Sequence, residues 1–263
     1  EKYFGPQYDI HGGGQDLMFP HHEAEIAQQE SASGLKPFVK YWMHAGFLVN
    51  TEKKMSKSLG NFMSLHEALK NYSPETLRFY FLSAHYRSPL DFSEEILKQS
   101  EAAVSRLFEF VQKLESITKG STLDLQKGRT LDHTTEEIIR KIKEEVKTGF
   151  EESLSDDFNT PKSFASIFEM IKTVNPLLDS QQIGPGSAES ILEILKNFNQ
   201  VLGIVGSQTS ELPAEVQELV RQRESAREAK DFSRADHLRS QIEALGYQID
   251  NTHYGPLVKK TKK

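Results

Sequence analysis

Two lysines flank a Met-Ser pair in the short segment Lys54-Met55-Ser56-Lys57-Ser58, which Gly60 and Asn61 follow. The ammonium groups of such a loop can approach a polyphosphate as compact positive charges. There they would neutralise the charge that develops on departing pyrophosphate. An ordinary basic loop has little reason to combine Met, two Ser and Gly-Asn in this order. The segment therefore predicts phosphate chemistry.

Three consecutive glycines, Gly12 to Gly14, follow a segment that is typical of a short strand. Without a Cβ, glycine lets the backbone approach a ligand closely, and backbone amides can then bind polar oxygens. Asp16 comes two residues later, and its carboxylate could accept hydrogen bonds from the paired hydroxyls of a sugar. A glycine triplet alone favours an ordinary tight turn, so the nucleotide interpretation depends on the neighbouring motifs.

A histidine and a glutamate four residues apart follow Pro20, whose ring favours a helix start. In a helix, His21 and Glu25 lie on one face, within reach of a single ion. An imidazole nitrogen and a carboxylate suit zinc, which takes four ligands in a tetrahedron. Two ligands do not complete such a site, and a hydrogen-bonded surface pair is the simpler interpretation of this segment alone.

The elements that position these groups are short strands and loops interleaved with helices in residues 1–92, an α/β pattern. Ser73-Pro74 predicts the start of a helix that continues through Phe81. Four amphipathic stripes in residues 93–207 then predict an antiparallel four-helix bundle. Their apolar positions include Leu97 to Leu114, Ile138 to Phe150, Phe164 to Ile171 and Ile191 to Leu202.

A small α+β module is predicted at residues 213–263, after a linker-like break. It has one helix from Val216 to about Lys230, a second that ends at Gly246, an extended segment and a Gly255-Pro256 turn. Ten basic residues and eight acidic ones lie in this module, although the whole chain has a net charge of −6. A weakly basic module in an acidic protein is compatible with a local contact to nucleic acid.

Composition limits the possible classes of protein. The 263 residues are 37% hydrophobic and 27% charged, with no apolar run long enough to span a membrane. The absence of cysteine excludes a disulfide scaffold and an all-thiolate metal site within these residues. The chain begins at Glu1, close to a glycine-rich motif, and is therefore expected to be part of something longer.

The motifs together resemble those of the cysteinyl-tRNA synthetases, a family of class I aminoacyl-tRNA synthetases. Lys54 to Ser58 matches their second signature loop. The resemblance extends over essentially the whole chain, and its other matching segments are Asp9 to Asp16, Phe19 to Glu23, Tyr41 to His44, His85 to Ser88, Arg227 to Phe232 and Ala235-Asp236.

The resemblance implies a two-step ligase of the cytoplasm. The carboxylate of L-cysteine is expected to attack the α-phosphate of ATP, accompanied by Mg²⁺, and the cysteinyl group then passes to tRNA(Cys). A zinc ion holds the substrate thiol, with His21 and Glu25 as two of its four ligands. The other residues implied are Lys57 and Lys54 at the ATP phosphates, Gly12, Gly13, Gly14 and Asp16 at the adenylate, His11 near the amino acid, and Arg227, Asp236 and Asn251 at the anticodon.

The resemblance also implies a division of the chain. Residues 1–92 correspond to part of a Rossmann-like catalytic domain with a stem-contact region that carries the Lys54 to Ser58 loop. Residues 93–207 form the bundle that positions the tRNA stem, and residues 213–263 form the anticodon-binding module. No membrane is expected as a partner.

The family's first signature, of His-Ile-Gly-His type, and its two zinc-binding cysteines have no counterpart in this sequence. A separate N-terminal half is therefore an expected partner, and the chain alone should not activate cysteine efficiently. Two other interpretations stay open. One is a ligase of the same lineage that joins cysteine to an aminosugar, and the other is a non-catalytic module that binds tRNA.

Overall fold

This computed structural model describes residues 2–50, 53–54, 64–118, 133–205, 212–252 and 255–260. The protein is mainly helical with three small sheets in this part of the chain. It forms two compact units, of which the first contains residues 1–101 and 151–164 and the second contains residues 102–150 and 165–263. No helix in the described ranges is both long and apolar enough to cross a membrane.

The strands of the first unit form two sheets. β1 (Tyr8–Gly14) pairs in parallel with β2 (Val39–Ala45). β3 (Leu48–Asn50) lies between β4 (Lys53–Lys54), which is antiparallel to it, and β5 (Leu90–Asp91), which is parallel. The predicted α/β character of this region is therefore confirmed.

Three helices alternate with these strands along the chain. α1 (Glu23–Ser33) lies between β1 and β2, whereas α2 (Leu65–Asn71) and α3 (Pro74–Leu82) lie between β4 and β5. Ser73 caps α3 as predicted, because its hydroxyl accepts a hydrogen bond from the amide of Thr76 at 3.1 Å. The fully buried Tyr80 of α3 donates a hydrogen bond from its hydroxyl to the carbonyl of Asp91. This bond joins α3 to β5 and supports the apolar cluster around Tyr80.

An aspartate in the left-handed conformation joins distant segments of the first unit. Asp157 has φ 52° and Phe158 has φ 55°, values that side chains other than Asn, Asp and Gly rarely adopt. The Asp157 carboxylate accepts hydrogen bonds from Tyr86 Oη at 2.8 Å and from Arg87 Nε at 2.6 Å. Thr160 donates a further bond to the carbonyl of Leu82. The segment that leaves α3 is thereby fixed to residues 157–160.

We expect Asp157→Asn to lower the melting temperature at neutral pH, because Asn tolerates the same backbone conformation but lacks the charge that Arg87 binds. The Arg87 and Tyr86 hydrogen bonds lower the pKa of Asp157 to about 2. A lowered folded-state pKa contributes stability that is present above the unfolded-state pKa and is lost as pH falls through the folded one. The melting temperatures of the two proteins should therefore converge between about pH 4 and pH 2. Asp156→Asn, at the exposed neighbouring position, should show no such convergence.

Four long helices supply the buried apolar side chains of the bundle region: α4 (Glu94–Thr118), α5 (His133–Ser155), α6 (Thr160–Asp179) and α7 (Pro185–Leu202). All four predicted stripes are therefore confirmed as helices. Within the second unit, Arg106 of α4 lies over the Phe168 ring of α6. Lys113, about two turns further along α4, binds Asp179, about three turns further along α6. α4 and α6 thus run in the same direction, as alternate helices of an up-and-down bundle do.

The C-terminal module consists of α8 (Ala214–Glu228), α9 (Phe232–Ala244) and the antiparallel strands β6 (Tyr247–Thr252) and β7 (Gly255–Lys260). Gly246 ends the second helix with φ +84°, as predicted. The predicted turn at Gly255-Pro256 is wrong, because both residues belong to β7 and Gly255 pairs with Thr252. A proline is compatible with the beginning of a strand, where it removes no ladder hydrogen bond from the interior.

Candidate active site

Four aromatic rings form a layer on one face of β1 and β2 and beside the turn that precedes α1. His11 pairs in register with Trp42, and both rings lie on the same face of the sheet. Their centroids are 4.8 Å apart, and the Trp42 and His44 rings stack with an interplanar angle of 3°. His22 packs against all three, with its centroid 4.8 to 5.0 Å from theirs. The layer thus contains three imidazoles, and His22 contacts the other two.

His22 is buried within this layer, with 3% of its surface exposed. Its Nδ1 lies 2.7 Å from His44 Nε2, so one ring donates a hydrogen bond and the other accepts it. Burial and the neighbouring His11 lower the pKa of His22 below the ordinary 6.5. The His22 imidazole is therefore neutral at pH 7, the form in which a ring nitrogen can hold a metal ion or accept a proton.

Glycine at position 13 allows the strand to approach the His22 ring. A Cβ at Gly13 would lie 2.7 Å from His22 Cε1, too close for two carbon atoms. At Gly12 a Cβ would meet only Met43 O, at an ordinary 3.6 Å. Close packing against His22 therefore explains one residue of the triplet without any ligand.

We expect Gly13→Ala to displace the His22 ring and to destabilise the protein by about 1–3 kcal/mol, the usual effect of overpacking a filled site. Gly12→Ala is the matched control, since it makes the same change one residue away, where the added Cβ makes only an ordinary contact with Met43 O. Chemical denaturation would give the free energies of unfolding, and NMR would follow the His22 ring resonances. Equal effects of the two substitutions would contradict this account of the packing.

Glu25 lies between two histidines. Its Oε1 is 3.2 Å from His21 Nε2, as the spacing of four residues predicts, and its Oε2 is 3.5 Å from His11 Nε2. Oε2 is buried and accepts no hydrogen bond from the described residues. A buried carboxylate oxygen without a donor is unfavourable unless a cation reaches it.

Two sets of groups at this position have the donor chemistry of a zinc site. The sequence predicts His21 with Glu25, and the His21 side chain is 60% exposed. The other set is His11, His22 and Glu25, whose ligand atoms all lie within 4.8 Å of one another. Imidazole nitrogen and carboxylate oxygen suit zinc in both, and Glu25, whose buried Oε2 accepts no hydrogen bond from the described residues, is common to both. Glu25 is therefore the group on which a metal site here depends.

The residues predicted at the nucleotide are only partly described. Gly12 and His11 line a cavity of about 500 Å³ with Phe4 and residues 7–10, beside β1. Asp16 is exposed in the short helical turn Gln15–Leu17 that follows the glycines. Lys54 lies in β4 with its side chain outside the described part, and Lys57 lies outside the described residues.

The three residues predicted at the anticodon lie in different elements of the C-terminal module. Arg227 is in the last turn of α8, Asp236 is exposed on α9, and Asn251 is exposed near the end of β6. Asn251 also accepts a hydrogen bond from the buried Arg223 at 2.7 Å. The contact between Arg223 and Asn251 was not predicted from the sequence.

His22, Trp42 and His44 were also absent from the predicted site. Their signal was present in the alternation of β2, where Trp42 and His44 occupy every second position and therefore share a face. His22 differs from His21 only by facing the sheet instead of solvent. The angle at which the preceding turn enters α1 decides which imidazole is buried, and helical periodicity alone does not specify that angle.

Comparison with known proteins identifies three consecutive family matches. Residues 1–102 match the family described as tRNA synthetases class I (C) catalytic domain. Residues 149–206 match the DALR domain, and residues 209–250 match the cysteinyl-tRNA ligase anticodon binding domain. The chain belongs to the cysteinyl-tRNA synthetase family. The recognition made from the sequence is thereby confirmed.

Curated relatives agree with these matches along nearly the whole chain. The Cysteine–tRNA ligase of Caldicellulosiruptor saccharolyticus is 38% identical over 99% of this chain and 54% of its own length. That of Geobacter sulfurreducens is 40% identical over 97% of this chain and 54% of its own length. This member of the cysteinyl-tRNA synthetase family thus spans about half the length of the curated relatives it matches.

Solved structures with lower sequence identity to this chain show a similar fold. The complex of Agrobacterium radiobacter K84 agnB2 LeuRS, tRNA and LeuAMS superposes with a TM-score of 0.58 at 14% identity, covering 75% of this chain and 26% of that one. Mycobacterium tuberculosis methionyl-tRNA synthetase bound by methionyl-adenylate superposes with a TM-score of 0.53 at 18% identity, covering 66% of this chain and 34% of that one. The synthetase family assignment and the mainly helical fold are therefore consistent with each other.

Proposed function

We propose that this chain contributes part of the catalytic site and the tRNA-binding region of a cysteine–tRNA ligase. The ligase activates L-cysteine with ATP, with Mg²⁺ accompanying the nucleotide, and transfers the cysteinyl group to tRNA(Cys). The observation that carries the proposal is the similarity of 99% of the chain to a curated Cysteine–tRNA ligase, which includes a match to a cysteinyl-tRNA ligase anticodon binding domain. Because the relatives are about twice as long, the chain is proposed to act together with the segment that it lacks.

The residues of the first unit have separate roles in this proposal. Gly12 and Gly14 admit the adenylate to the edge of β1, and Asp16 accepts hydrogen bonds from the ribose hydroxyls. His11 contacts the amino acid, where its ring is already fixed against Trp42. Lys54 and Lys57 neutralise the triphosphate and the departing pyrophosphate. The region around them is proposed to be a partial Rossmann-like domain with a stem-contact region.

Zinc is the proposed metal, with Glu25 and His21 as its ligands in this chain. His11 and His22 are the nearest alternatives, and the remaining ligands would come from outside the chain. When bound, zinc favours the thiolate form of cysteine and so distinguishes it from serine, whose oxygen is harder and far less acidic. The buried Oε2 of Glu25, which accepts no hydrogen bond from the described residues, supports a cation at this position. The Trp42 and His22 rings pack against the His11 ring at this position.

The helical parts of the chain are proposed to hold the tRNA. Residues 93–207 would position its stem through the backbone phosphates, without reading sequence. Residues 213–263 would contact the anticodon, with Arg227 stacking on or hydrogen-bonding to a base and Asp236 accepting from an exocyclic amine. Asn251 is the third residue proposed to contact a base.

A direct competition between acceptors tests this function. The complete ligase that contains the chain would be supplied with ATP, labelled cysteine, tRNA(Cys) and an aminosugar in one reaction. We expect cysteine to be transferred to the tRNA and not to the sugar. Transfer to the sugar instead would identify the other ligase of this lineage, whose chemistry makes no use of an anticodon module. Failure to form any cysteinyl adenylate, with tRNA binding retained, would support a non-catalytic tRNA-binding module.

A further inference from the structure

A buried arginine in the C-terminal module contacts one of the residues proposed to read the anticodon. Arg223 of α8 is 3% exposed. Its Nη1 donates to Glu224 Oε1 at 2.5 Å, and its Nη2 donates to Asn251 Oδ1 at 2.7 Å. Its Nε is buried and donates to no described residue. Burial of a guanidinium is costly even when the group is paired, so apolar packing alone does not account for it.

The contact with Arg223 determines which end of the Asn251 amide is available to a ligand. A guanidinium carries only N–H donors and accepts no hydrogen bond. The group that Asn251 presents to Arg223 must therefore be its carbonyl oxygen. The NH₂ group is then the part of this exposed side chain that another molecule can use. The carbonyl oxygen is engaged by Arg223, and the amide is thereby oriented with its two N–H donors facing away from the guanidinium.

We propose that Arg223 is a positioning residue that holds Asn251 as a hydrogen-bond donor, so that the module selects a nucleobase presenting an acceptor at this contact. The matching base groups are a carbonyl oxygen or an unprotonated ring nitrogen. The inference rests on the proposed contact between residues 213–263 and the anticodon. It adds the direction of the hydrogen bond and the residue that sets it.

A second arginine on the same helix shows how this arrangement differs from an ordinary surface pair. Arg221 binds Glu218 at 2.6 Å, and its side chain is 71% exposed. Such an exposed pair orders no neighbouring element and contributes little to stability. Arg223 instead connects α8 to β6 through Asn251. The two arginines carry the same charge on one helix, so they form a matched pair for experiment.

The test measures the affinity of the chain for anticodon stem–loop RNA with the tRNA(Cys) sequence, by fluorescence anisotropy at one fixed salt concentration. A series of these RNAs carries base analogues in the anticodon. In each RNA, a single hydrogen-bond acceptor of one base is either removed or replaced by a donor. For the unsubstituted chain we expect the removal of one particular acceptor to weaken binding about 5- to 10-fold, the effect of a single hydrogen bond. In loops that keep this acceptor, binding should show no loss that depends on Asn251.

Substitutions then assign the effect to the two residues. Asn251→Ala and Arg223→Met should both abolish the sensitivity to that acceptor, since one removes the donor and the other frees the amide to rotate. Asn251→Asp should reverse the preference, because a carboxylate only accepts and would favour the loop with a donor. Arg221→Met removes the same charge and should leave the sensitivity intact. Asn251 is exposed, so its two variants test the inference even if Arg223→Met reduces folding.

The possible results separate this inference from the proposed function. If the unsubstituted chain binds the natural loop but responds equally to every acceptor deletion, the inference is wrong and anticodon binding stands. Retention of the acceptor preference in Asn251→Asp, or in folded Arg223→Met, would overturn the inference as well. If the chain does not bind the natural loop, the proposed role of the module fails and the inference fails with it.

Discussion

In the complete ligase, Glu25→Ala should weaken zinc binding by more than about 100-fold and remove most of the discrimination between cysteine and serine. Loss of a residue that only supports a metal ligand typically costs 10- to 100-fold in affinity, so the loss of a ligand should cost more. Glu25 is the group common to both possible ligand sets, and its Oε2 is buried without a hydrogen-bond donor. Zinc content by mass spectrometry and cysteine-dependent and serine-dependent ATP–pyrophosphate exchange would measure the two effects.

Glu23→Ala is the matched control, because Glu23 is an exposed acid in the same first turn of α1. It should leave both the zinc content and the amino-acid discrimination unchanged. The histidines distinguish the two ligand sets. His21→Ala should release zinc if the pair predicted from the sequence is correct, whereas His22→Ala should release it if the buried set holds the ion. Full zinc occupancy and undiminished selection in Glu25→Ala would refute the metal site in either form.

The residues around Glu25 show which contacts can be predicted from the sequence and which cannot. A spacing of four residues predicted correctly that His21 and Glu25 are within contact distance, because helical periodicity specifies neighbours along one element. Helical spacing could not place His11, which the family resemblance had assigned to the amino-acid site, beside Glu25, and it gave no indication of Trp42 or His44. They lie in other elements, and the strand register that brings His11 beside Trp42 depends on long-range pairing. Contacts within a helix are therefore predictable, and contacts between strands require the fold.

The helices also differ in how far they can be predicted from the sequence. The long stripes of α4 to α7 were predicted because each buries a continuous apolar face. The seven residues of α2 are too few to show a periodicity, although Ser64 and Glu67 form a capping box at their start. The Arg223 contact was hidden for a different reason. A buried arginine has the same sequence signature as a solvated one, and only the position of β6 shows which kind it is.

The purified chain alone should show no cysteine-dependent ATP–pyrophosphate exchange, and addition of the missing segment should restore it. Ile10 and Tyr41 pair in register on the face of β1 and β2 opposite His11, and they are 63% and 68% exposed. Parallel sheets normally have both faces covered, and two strands alone are only marginally stable. The curated relatives are about twice as long as this chain. We therefore expect this apolar face to pack against residues that the chain does not contain.

The supplement would be the portion of the Geobacter sulfurreducens ligase that this chain does not match, purified separately and titrated into the exchange reaction. Ile10→Asp should weaken this complementation at least about 100-fold, because a carboxylate buried at an apolar contact loses several kcal/mol of hydration. Val201→Asp introduces the same charge at an exposed apolar residue of α7 and should complement normally. Exchange by the unsupplemented chain would show that its own residues suffice for adenylate formation. Normal complementation by Ile10→Asp would show that the face of Ile10 and Tyr41 is not the contact.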